Sequence, residues 1–107
     1  MNKNKFLACH IILFISFGAN AYLVDGSMLL SDYEKRKPAA IGYIEGVSDM
    51  GNRSIFCIPA GTGTSQLKKV AFEYLTTTEN IKKPAAHLVS KAFTEAFPCS
   101  ESASPQV

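Results

Sequence analysis

Residues 84–99 read PAAHLVSKAFTEAFPC, and this stretch decides the fold. Ala85, Leu88, Val89, Ala92 and Ala96 recur at helical spacing, which predicts a helix from Pro84 to about Phe97 with those residues turned inward. Pro98 stops it, because a proline cannot continue the ladder of N–H donors. Cys99 follows at once. The other cysteine of the exported chain is Cys57, in the short apolar run Ile55-Phe56-Cys57-Ile58-Pro59. Behind a signal peptide the two read as one disulfide, stapling the end of the last helix to a loop in an oxidising compartment.

Export is read from the N-terminus. Lys3 and Lys5 precede an apolar stretch from Phe6 to Gly18, and Ala19-Asn20-Ala21 supplies a small-x-small cleavage site. Residues 1–21 are therefore expected to leave as a signal peptide, cut after Ala21, and Cys9 leaves with them. A membrane span would need about 20 apolar residues, and this core is shorter, with His10 inside it. Too few residues precede Cys9 to make a lipoprotein signal.

Removing Lys3 and Lys5 changes the charge. The whole chain of 107 residues carries 11 basic and 9 acidic residues, and every acidic residue lies beyond position 21. The mature protein is thus formally neutral. It has no basic footprint for nucleic acid or for anionic membrane. What remains is one domain, residues 22–99, followed by a polar tail, 100–107, that is expected to be disordered. A domain this small buries only about 60 to 65% of the surface that its unfolded chain exposes. A bridge closing a loop of roughly 40 residues then adds a large share of the stability, about 4 kcal/mol in the chain-entropy treatment.

Upstream, three more helices are expected, and no convincing sheet. Met28, Leu29, Leu30 and Tyr33 mark a short one from about Val24 to Lys35, ending in the basic run Lys35-Arg36-Lys37, which suits the negative end of a helix dipole. The next opens at Pro38, whose fixed φ fits a first helical position. It runs to about Met50, with Ala40, Ile41, Ile44 and Val47 on one stripe. Gly42 and Gly46 lie one turn apart in it, which suggests that another helix of the domain approaches closely there. The third carries the clearest stripe, Leu67, Val70, Ala71, Tyr74 and Leu75. Thr62 or Thr64 is expected to cap its start, and Thr76-Thr77-Thr78 to end it.

Chemistry has few candidates. Glu45 and Asp49 share a helix face, and a metal would want more ligands than these two. The charge of Asp49 opposes the dipole at a helix end, and either Arg53 or a partner is expected to compensate it. Asn52-Arg53-Ser54 matches a glycosylation pattern that matters only in a eukaryotic secretory pathway. Gly61-Thr62-Gly63-Thr64 lacks the lysine of a phosphate loop, and Gln66 stands where a dinucleotide fingerprint needs its third glycine. His87 is alone in the mature chain, with no nucleophile beside it. With both cysteines bridged and no serine elbow or metal cluster, the reading is a binding protein without cofactor, metal or catalytic residue.

A set of phrases now carries a resemblance. Gly42-Tyr43-Ile44-Glu45-Gly46-Val47-Ser48-Asp49, Phe56-Cys57-Ile58-Pro59, Gln66-Leu67, Tyr74-Leu75, Pro84-Ala85 and Ala96-Phe97-Pro98-Cys99 resemble, in order and spacing, the resistance-associated (Rap/Tai) immunity proteins of bacterial type VI secretion. The likeness runs from about Leu29 to Cys99. It implies an all-helical, four-helix, non-enzymatic inhibitor in the periplasm, commonly a homodimer, that blocks the Cys-His active site of a peptidoglycan amidase delivered by sister cells. A bacterial source also voids the glycosylation reading. Two further cysteines usual in that family are absent, mapping near Ser31 and to Ile41, so a looser first helix is expected.

The polar loop from Asp49 to Arg53 lies between a helix and the disulfide-anchored run. Asp49, Asn52 and Arg53 are therefore expected to face the toxin. The runner-up function is a periplasmic acid-stress chaperone, also small, exported, helical and held by one disulfide. Exposure of apolar surface on acid unfolding would mark it.

Overall fold

The computed structural model describes residues 24–100. The signal segment, its cleavage site, and the tail beyond Ser100 lie outside them. Four helices make up the fold: α1 (Gly26–Glu34), α2 (Pro38–Gly51), α3 (Thr64–Thr77) and α4 (Ala85–Ala96). Each packs on the other three, and no named strand occurs among the described residues.

The core is the meeting of the four predicted stripes. Leu29 comes from α1, Ala40 and Ile44 from α2, Leu67, Ala71 and Leu75 from α3, and Ala85, Leu88, Val89 and Phe93 from α4. One loop residue joins them. Phe56 is fully buried and meets the Phe93 ring edge-on, with centroids 5.2 Å apart. Phe93 also corrects the α4 stripe: its ring fills the interior and Ala96, expected inside, is exposed.

The disulfide joins Cys57 to Cys99, with Cα atoms 4.9 Å apart, an ordinary separation for a bridge. The Cys57 N–H donates to the Phe97 carbonyl at 2.8 Å, so backbone and sulfur hold the same two segments together.

The start of α1 is later than expected because Asp25 caps it. Its carboxylate accepts from the Met28 N–H at 2.9 Å and from the Ser27 hydroxyl at 2.7 Å. The Ser27 hydroxyl bond, followed by the Met28 N–H, holds the Asp25 carboxyl below its ordinary value. Residues 24–27 are also clasped by the strap before α4. Gly26 N–H donates to the Lys83 carbonyl, Ser27 N–H to the Ile81 carbonyl, and Ala85 N–H to the Val24 carbonyl, at 2.8 to 3.0 Å. Gly26 is needed here, since a Cβ would come within 2.6 Å of the Ile81 carbonyl oxygen.

Two further expectations change. The cap of α3 is Gly63, with no side-chain bond. Thr62 donates instead to the Pro59 carbonyl, and Thr64, inside the helix, reaches Glu45 Oε2 on α2 at 3.0 Å. Gly42 and Gly46 are exposed, and a Cβ at either would meet nothing within 4 Å, so no helix of the domain approaches there. The end of α3 is as expected, with Thr76 and Thr77 bonding back to the Glu73 carbonyl and Thr78 as the C-cap.

Candidate interaction surface

The last turn of α2 and the loop after it form a single projecting corner. Its base is Gly51, buried under the Phe56 ring, which lies where a Cβ would be. The Gly51 carbonyl accepts from the N–H groups of Ser54 and Ile55, at 3.1 and 2.8 Å, and from the Ser54 hydroxyl. The chain must reverse within four residues for Phe56 to reach the core. That reversal puts Arg53 in the left-handed region at φ +72°, its N–H donating to the Phe56 carbonyl. A side chain in that region is strained unless its surroundings fix it.

Of the residues expected to face a partner, Asp49 and Arg53 are exposed, but they form no ion pair with one another. Of the two compensations expected for Asp49, the one by Arg53 is not made within the chain, and both residues lie exposed. Asn52 is also exposed, yet its side-chain oxygen accepts from the Ile58 N–H at 2.8 Å. It is a brace of the loop before it is anything else.

Sequence reasoning missed two apolar residues on this corner. Met50 is 84% exposed and Ile55 57% exposed. They flank an overwhelmingly apolar groove of about 570 Å³, completed by Tyr43, Gly46 and Val47 of α2 and by Ala86 of α4. The signal was in the spacing. Six residues past Ile44 is about 240° around a helix, so Met50 falls off the buried stripe and onto the flank that carries Tyr43 and Gly46.

The disulfide makes this corner stiff. Phe56 and Cys57 anchor its far side to α4, while α2 holds its near side. The surface is thus a preformed apolar groove, one exposed guanidinium and one exposed carboxylate. It holds no reactive pair. His87 lies exposed on α4, and among the described residues no group of three or more His, Cys, Asp or Glu is placed to bind a metal.

The family model of the Rap1a immunity proteins matches residues 23–99, all four helices and both bridged cysteines. The chain belongs to this family. No curated protein and no solved structure gives a significant match. Membership of the Rap1a immunity proteins implies a protein partner, an effector. Among the described residues no helix is long and apolar enough to cross a membrane.

Proposed function

We propose that this Rap1a immunity protein acts in the periplasm, where it binds a peptidoglycan amidase effector of type VI secretion and occludes its active-site cleft. One observation carries the choice of surface: Met50 and Ile55 stand exposed on a corner that the disulfide and Phe56 hold rigid. Occlusion needs a few buried anchors and a shape that does not collapse, and preorganised loops lose little entropy on binding. Met50 and Ile55 are the apolar anchors, Arg53 and Asp49 fix orientation at the rim, and Asn52 keeps the loop in shape. A homodimer fits the same reading. The exposed Gly42, where a Cβ would meet nothing within 4 Å, leaves the first half of α2 open to a helix of a second copy.

A protection assay tests this reading. Cells receiving an amidase effector in the periplasm should survive when the protein is exported and lyse when it is made without its leader. The exported double variant Met50→Asp, Ile55→Asp should fold and fail to protect. Protection by the leaderless protein, or undiminished protection by the double variant, would contradict the proposal.

A further inference from the structure

A second concave surface lies at the opposite end of α2. The C-terminal end of α1, the start of α2 and the first turns of α3 enclose a cleft of about 550 Å³. It is lined by the cations Arg36, Lys37 and Lys68, by the acid Glu34, and by Ile41 with the stacked rings of Tyr33 and Phe72, whose centroids are 4.5 Å apart. Lys37 precedes the first residue of α2 and Met50 is its penultimate one, so about 20 Å of helix separates this cleft from the projecting corner.

Two of the three cations in the cleft are not consumed by ion pairs of the fold. Among the described residues the one ion pair is Lys37 with Asp32, at 3.5 Å, and neither Arg36 nor Lys68 has an acidic partner. Arg36 is also held at φ +59°, just past the end of α1, a position that glycine fills without strain. Arg36 and Lys68, left without acidic partners in a cleft that also holds the paired Lys37 and the acid Glu34, make a local positive site.

We propose that this cleft docks an acidic peptide segment of a protein partner, its carboxylates meeting Arg36 and Lys68 and a neighbouring apolar side chain lying on Tyr33 and Phe72. The flat fork of Arg36 suits a carboxylate, and the ring pair covers the apolar part. Polyanions are a poorer match. A nucleic acid site commonly neutralises about 6 to 10 phosphates, and membrane recognition uses clusters of about 4 to 8 cations. Here three cations share a concave site with Glu34, and Asp32 stands against Lys37.

The test is an amide chemical-shift titration of the oxidised mature protein with the acetylated, amidated hexapeptide Glu-Glu-Leu-Phe-Glu-Glu, run beside a single-stranded oligonucleotide and phosphatidylglycerol vesicles. Peptide shifts should cluster at residues 33–41 and 68–72 and weaken with salt. Lys68→Glu should lower the affinity about tenfold or more, as loss of a charged contact does, and Lys91→Glu on α4 should leave it unchanged. Arg36→Gly relieves the backbone and should fold as well as the parent while still binding more weakly, which separates recognition from folding. Absent peptide shifts, shifts spread over all the lysines, or a response of these residues to the oligonucleotide or the vesicles alone would overturn the proposal.

Discussion

Arg53 holds an exposed charge on a backbone that glycine would adopt more readily, at φ +72°. Left-handed arginine costs roughly 1 kcal/mol, partly offset because glycine frees the unfolded chain. Arg53→Gly should therefore leave the urea midpoint unchanged or slightly raised while weakening effector binding, as calorimetry would measure. Gly51→Ala is the opposite case. A methyl there collides with the Phe56 ring, so the variant should lose about 1 to 3 kcal/mol in denaturant unfolding. Residue-scale reading of the sequence reached the polar half of the corner, Asp49, Asn52 and Arg53, and passed over Met50 and Ile55. Polar loop residues announce exposure by type; an apolar residue announces it only by falling off the stripe of its own helix.

At the scale of elements, the sequence placed all four helices within two residues of their ends, because each carries its own stripe and its own stop. What it could not place were contacts between elements. The clasp of residues 24–27 onto the strap before α4 has no local signature, and neither has the bond from Thr64 to Glu45. Asp25 sits at the centre of that clasp and titrates below its ordinary value because the Ser27 hydroxyl and the Met28 N–H stabilise its charged form. Its folded value is depressed, so its contribution to stability is present above the unfolded carboxylate value, near pH 4, and is lost as pH falls through the lower folded value. Asp25→Asn should flatten the acid side of the Tm against pH curve, a change that calorimetry at pH 6 and below would register. The Gly42 and Gly46 pair was misread for the same reason as the clasp. Glycines in a helix permit close approach but do not require it, and here a Cβ at either would meet open space.

The described residues form a small four-helix core in which the buried loop residue Phe56 and the Cys57–Cys99 disulfide hold the corner at the end of α2. The bridge spans 42 residues, a closure worth about 4 kcal/mol in the unfolded chain. The Cys57→Ala, Cys99→Ala variant should lose stability of that order in denaturant unfolding, and lose effector binding further as the corner loosens. At this scale the sequence was most legible, since cysteine placement and family phrases marked the architecture and the Rap1a family before any contact was visible. The role proposed for the corner is occlusion of an amidase cleft. Its direct test is titration of a type VI peptidoglycan amidase with the oxidised mature protein while release of stem-peptide fragments is followed. The account predicts stoichiometric loss of activity, reversed by Met50→Asp with Ile55→Asp. Unchanged hydrolysis at saturating protein, or full inhibition by that double variant, would contradict it.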